Sequence, residues 1–269
     1  MYLQKEPVRG YNVYIDADRD DLGTQMDVGL LVLEPGDKWS CAEPRKETAV
    51  LLFSGRVQLR WGAECITAER ADMFRAEAWC LLAPRGTDIE LCAETRAELY
   101  IQKTINERDY PAVLYRPQDV LVQHAGASGE LQGCMRREIK TFFDYSNAPF
   151  SNMVLGEVLN LPGRWSSYPP HHHPQPEVYF HRFDKPEGFG ASFANGEVYR
   201  SGNNGLTVIN RGFHSQAAAP GFAMCYVWGI RHLDGDPWEK TRIDDPGYEW
   251  LWQPDANEHI YTPDGGENP

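Results

Sequence analysis

The chain has 269 residues, 42% of them apolar and 24% charged, which is enough for one large domain or two modest ones with a real core. Its net charge is −13 with no Lys/Arg cluster, which argues against nucleic acid and anionic membrane as partners and obliges any anionic ligand to find a local basic pocket. The N-terminal run MYLQKEPVRGYNVY lacks the apolar centre of a signal peptide, and runs such as FAMCYVW (222–228) are far short of the roughly 20 residues that a membrane helix needs, so a cytoplasmic protein is expected.

Taken in chain order, the sequence reads as short strands between turns. The runs MDVGLLVLEPG (26–36), TAVLLFSGRVQLRWG (48–62), AWCLLAPRGTDIELCA (78–93) and ELYIQKT (98–104) lie in the first half. NMVLGEVLNLPG (152–163), EVYFHRF (177–183), GLTVINRGFH (205–214) and FAMCYVWGI (222–230) lie in the second. Many alternate apolar and polar residues, and 19 prolines and 24 glycines leave little room for long helices, so the expected class is an all-β sandwich or barrel. From Asp234 onward the chain looks irregular, with Trp238, Trp250 and Trp252 available to pack it. The six cysteines form no CxxC pair and several sit in apolar runs, which predicts buried free thiols.

A long-period repeat organises these strands. Residues 33–53, LEPGDKWSCAEPRKETAVLLF, parallel residues 159–180, LNLPGRWSSYPPHHHPQPEVYF: a Pro-Gly turn, Trp-Ser, a proline-bearing loop, then Glu entering a strand. This matches Trp39 to Trp165 and Glu47 to Glu177. Further on, LLAPRGTDIEL (81–91) parallels TVINRGFHSQA (207–217). Two β domains are expected, 1–145 and 146–269. Where the second copy has HHHPQPE and RGFH, the first has EPRKE and RGTD. The second half therefore reads as the active copy and the first as a duplicate without metal ligands.

In an extended chain, positions i and i+2 share a face, so His171 and His173 can converge while His172 points away. Glu177 opens the next strand after a Pro-Gln-Pro turn, and His214 follows a glycine turn. Three imidazoles and one carboxylate suit a single divalent ion, Zn, Mn, Fe or Ni, and leave positions open for catalysis. His124, His232 and His259 read as packed or solvated residues.

The spacing Gly163, His171, His173, Glu177 and Gly188, followed by Gly212 and His214, resembles the two motifs of the cupin family, implying two tandem jelly-roll barrels, a bicupin. A closer resemblance runs along almost the whole chain. LGEVLNLPGRWSSYPPHHH, TAVLLFSGRVQL and LLAPRGTDIEL are similar to the IolB family of 5-deoxy-glucuronate isomerases, and EVYFHRF also resembles its relative KduI, the uronate isomerase of pectin breakdown. Family members carry a long acidic insertion between HxH and Glu, where this chain has only Pro-Gln-Pro.

The resemblance implies aldose–ketose isomerisation of 5-deoxy-glucuronate to 5-dehydro-2-deoxy-gluconate in myo-inositol catabolism. Metal ligands would be His171, His173, Glu177 and His214. The general base stays open between a metal-bound hydroxide, Glu177 and Tyr179. Tyr179 and His181 share the strand face of Glu177 and would point into the barrel. Arg182 would point outward unless a bulge intervenes, and Arg211 is a second candidate for the substrate carboxylate. Competing readings are a metal-dependent dioxygenase on the same scaffold and a non-catalytic sugar-acid binding module. Pairing of edge strands would make a homodimer.

Overall fold

The structure, a computed structural model, describes residues 1–263. Among them the only helical segments are short 3₁₀ turns; everything else regular is strand. Among the described residues no helix is long and apolar enough to cross a membrane.

The strands form two units, as the repeat predicts. In the first, the strand Lys46–Trp61 is long enough to serve two layers. Its opening part pairs with Cys80–Ala83 and Ala97–Ile105, and its later part with Glu64–Arg70 and Asp88–Ala93. The register shifts between Leu52 and Ser54, where the strand turns from one layer to the other. Gly55 makes the bend possible: its φ is +97°, and a Cβ there would meet the Arg96 carbonyl at 2.3 Å. The second unit has a seven-stranded sheet facing a five-stranded one. Both units are two-layered sandwiches rather than closed barrels, and each encloses its own apolar interior.

Strand pairing changes hands before the 145/146 boundary expected from the repeat. Leu121–Ala125 and Arg137–Phe143 already belong to the seven-stranded sheet of the second unit, and so does Tyr2–Gln4 at its opposite edge. The repeat could not register these strands, because the matched Pro-Gly, Trp-Ser and Glu positions lie outside them.

The largest core joins the two units. Leu30, Phe53 and Tyr100 from the first pack with Val178, Phe180, Leu206 and Val227 from the second. In the strand Glu177–Phe183, even-numbered residues enter this shared core and odd-numbered ones enter the second unit's interior. The shared core also holds an ion pair. Arg70 donates from Nη1 and Nη2 to the two Glu157 oxygens, each at 2.8 Å, with side chains 0% and 1% exposed. Arg70 further donates to the carbonyls of Leu52 and Ala76, so its charge is fully engaged.

The match of Glu47 to Glu177 is off by one residue. Glu47 faces the second unit, where it accepts from Ser151 Oγ and the Asn152 N–H as well as from Asn106. The interior-facing residue at that end of the strand is Lys46, paired with Asp18 and Asp27 at 2.7 and 2.8 Å. Lys103 pairs with Glu43 beside it. A one-residue offset moves a side chain to the opposite face, and a loop alignment cannot resolve it. The first unit thus carries ammonium groups at the end where the second carries imidazoles.

All six cysteines are free, as expected; Cys80 and Cys225 are buried, whereas Cys65 and Cys134 are exposed.

Substituting Glu157→Gln leaves Arg70 buried without its counter-charge, and the expected loss is about 3–5 kcal/mol in urea unfolding. The double variant Arg70→Met/Glu157→Leu should lose less than Glu157→Gln alone, since removing both charges also removes their desolvation cost.

Candidate metal centre

The strand Trp165–His172 pairs with His214–Ala218, but four residues lie between the paired positions Ser166 and His171 while only one lies between their partners Gln216 and His214. The surplus, Ser167 to Pro170, bows out of the sheet and returns the chain so that His171 stands opposite His214. Pro-Gln-Pro then turns the chain into Glu177–Phe183, which delivers Glu177 from the facing sheet.

Three ligand atoms converge. One each from His173, Glu177 and His214 lie within 4.8 Å of one another. The Nε2 atoms of His173 and His214 are each 3.3 Å from the same Glu177 oxygen. The side chains are buried, at 3%, 4% and 1% exposure. His171 stands beside this trio: its ring centroid is 4.3 Å from that of His214 and 6.4 Å from that of His173. Its Nδ1 faces the Pro169 carbonyl at 3.4 Å, leaving Nε2 free. Burial, with Arg242 and His173 adding to it, pushes the His171 imidazole down to about 3. Burial likewise pushes His214 well below its ordinary value. Both are therefore neutral, with lone pairs available for a metal.

The donor set fits a divalent ion. His173 Nδ1 and both ring nitrogens of His214 are buried without a hydrogen-bond partner, and unpaired buried polar atoms are costly. A cation shared by the trio would engage His214 and offset the buried carboxylate charge of Glu177.

The other predicted site residues divide clearly. Tyr179 faces inward, its ring 5.9 Å from His214 and its hydroxyl 3.0 Å from Ser167 Oγ. Burial first, then the Glu177 and Tyr226 charges, hold its phenol well above the ordinary value, so it stays protonated. His181 is also inside, two residues deeper, where its Nε2 meets Thr207 Oγ1 at 3.0 Å. Thr207 donates onward to Ser192, which also accepts from Gln216. Arg182 does face away from the cluster, as its parity predicts: it donates to Glu98 and Asn204 and lies over Phe53. Arg211 is exposed and lines a surface cavity with Met1, Leu22 and Glu197. Neither arginine reaches the trio. His172 turns away, edge-on to Phe213. His124 and His259 are exposed, and buried His232 accepts from the Trp238 N–H.

Two contributors come from the irregular tail, where the sequence pointed to packing by Trp238 but not to its place beside the cluster. Trp238 packs edge-on to His173 at 6.2 Å and against Trp228 at 5.7 Å. Ile243–Asp244 adds a short strand beside His171 and His172, and Arg242 donates to the Pro169 carbonyl at 2.8 Å. The tryptophan count of the tail was the one signal for this closure.

A family model described as KduI/IolB family matches residues 2–251. A curated 5-deoxy-glucuronate isomerase from Geobacillus thermodenitrificans is 27% identical over 77% of this chain and 79% of its own. Among solved structures, an IolB-like protein from Salmonella typhimurium LT2 superposes with a TM-score of 0.82 at 20% identity, covering 93% of this chain and 98% of that one. A variant of the Bacillus subtilis oxalate decarboxylase does so at 0.64 and 9% identity, over 100% and 88%. These two establish the bicupin architecture.

The buried imidazoles make stability acid-sensitive. Burial pushes His181 down to about 3, whereas an unfolded histidine titrates near 6.5. Between those values the unfolded chain binds this proton and the folded chain does not. Stability should therefore fall with falling pH by roughly 1.4 kcal/mol per unit for this group. Urea titrations from pH 6.5 to pH 4 should show a shallower slope for His181→Gln than for the parent; equal slopes would contradict the assignment.

Proposed function

The chain belongs to the KduI/IolB family, and on that premise we propose that its C-terminal unit isomerises 5-deoxy-glucuronate to 5-dehydro-2-deoxy-gluconate in myo-inositol catabolism. The observation that carries the reading is the convergence of His173, Glu177 and His214 on one buried point, with His171 against it. These four residues would hold one divalent ion. Zn, Mn, Fe and Ni all accept such donors. When bound, the ion supplies Lewis-acid stabilisation of the negative charge that develops on O1 and O2 of the sugar.

The protein's own groups do the rest. The reaction moves a proton from C2 to C1 and another between the two oxygens, so it needs a group that can take and return a proton. Burial holds the Tyr179 phenol well above its ordinary value, which suits its hydroxyl, linked through Ser167 to Tyr226, to donating a hydrogen bond toward developing oxyanion charge. Glu177 has one oxygen 3.3 Å from both the His173 and His214 Nε2 atoms, which keeps the two imidazoles oriented toward one point. Trp238 and the tail strand cover the cluster and limit water entry.

In this reading the N-terminal unit is the ligand-free copy, its lysine–carboxylate pairs standing where the second unit would bind metal. The enzyme works in the cytoplasm as a homodimer. The edge strand Leu121–Ala125, whose Leu121 and Val122 are solvent-exposed, offers a pairing edge.

The test combines metal analysis with turnover of 5-deoxy-glucuronate. His173→Ala and His214→Ala should each lose bound metal and lower turnover by more than about 100-fold, beyond what loss of an outer partner of a ligand costs. Both should keep the fold by circular dichroism. Full turnover in a metal-free His173→Ala/His214→Ala double variant would overturn the mechanism.

A further inference from the structure

A cavity of about 540 Å³ lies at the gap between the two sheets of the second unit, where the bowed Ser167–Pro170 segment, the Leu121–Ala125 edge and the tail meet. Tyr168, Pro169, Leu251 and Trp252 give it an apolar wall, and Arg137, half-buried, supplies a cation. The volume suits a six-carbon ligand. It abuts the candidate metal centre through Pro169, whose carbonyl is shared by His171 and Arg242.

Arg137 is placed there by register. It stands opposite Asn160 on the neighbouring strand, and two residues on, Ile139 packs into the second unit's interior. The side chain thus starts on the inner face of the sheet and ends in the cavity. Its one hydrogen bond among the described residues is to the Met135 carbonyl at 2.8 Å, and no described carboxylate lies within 4.0 Å of it. The adjacent acid, Glu138, is committed to Lys140 and His124. Glu130 also lines the cavity but is exposed at its rim.

The fully buried lysines and arginines, Lys46, Arg70, Lys103, Lys140 and Arg231, each have a carboxylate within 4.0 Å, whereas half-buried Arg137 lines a cavity without one. The two cations that the sequence suggested for the substrate carboxylate are elsewhere, Arg182 being paired with Glu98 and Arg211 lying outside. Burial, with Arg242 nearby, already lowers the Arg137 pKa, so an anion brought into the cavity relieves an unfavourable charge.

We propose that Arg137 is the carboxylate anchor of this cavity, which adjoins the metal centre through Pro169, and that it holds the acid end of a sugar acid by a charge-assisted pair. The inference rests on the sugar-acid reading and adds the residue that selects the acid.

The test uses the full-length, metal-loaded protein with D-glucuronate and D-glucose as probes in titration calorimetry. The parent should prefer glucuronate by roughly tenfold or more, the worth of one charge-assisted hydrogen bond. Arg137→Gln should abolish the preference with an unchanged melting temperature, and Arg137→Lys, which retains charge but not the fork, should keep part of it. Should Arg137→Gln not fold, an intermediate preference in Arg137→Lys carries the test, and a parental preference there overturns the proposal. A parent without preference, or an Arg137→Gln protein that keeps it, also overturns it. Turnover separates the two readings. Arg137-dependent preference without isomerase turnover sinks the isomerase and leaves the anchor. Turnover with an unchanged KM for 5-deoxy-glucuronate in Arg137→Gln sinks the anchor and leaves the isomerase.

Discussion

The two-residue alternation of one strand, Glu177–Phe183, organises this protein. Its odd residues carry a carboxylate, a phenol and an imidazole into the interior of the second unit. Its even residues Val178 and Phe180 bind that unit to the first through the largest apolar core. Chemistry and assembly thus depend on the same backbone register. A slip of one residue would place Glu177 in an apolar interface and Phe180 in the polar interior, two errors that reinforce each other. Pairing on both sides, with Gly205–Ile209 and Met224–Arg231, fixes the register.

The duplicate units show how the same scaffold accommodates opposite charge. In the second, a buried carboxylate and neutral imidazoles gather at the end of the inner strand, an arrangement short of positive charge. In the first, Lys46 and Lys103 occupy that end and are balanced by Asp18, Asp27 and Glu43. Ammonium groups meet there the electrostatic requirement that a divalent cation would meet in the second unit. In the proposed reading the first unit is the copy without a metal and serves as a packing partner, held by the shared core and the Arg70–Glu157 pair.

Much of this was legible in the sequence, for identifiable reasons. Short alternating runs gave strands their inner faces, so the inward placement of Tyr179 and His181 and the outward placement of Arg182 followed from counting. HxH, Glu177 and His214 were visible because their residue types are rare together. The match of Glu47 to Glu177 failed because loops of different composition hide a one-residue offset that strand pairing alone reveals. The tail's part in covering His173, and the cavity at Arg137, were not legible. They arise from the bow at Ser167–Pro170 and from the closing of the chain end over it, contacts distant in sequence with no local periodicity.

The central claim is that one cation belongs at the meeting point of His173, Glu177 and His214. Anomalous diffraction from crystals grown with the native metal tests it directly. The account predicts a single strong peak in each chain, about 2.0–2.2 Å from the His173 and His214 nitrogens and a Glu177 oxygen. No peak there, or one in the first unit beside Lys46 and Asp27, would contradict it.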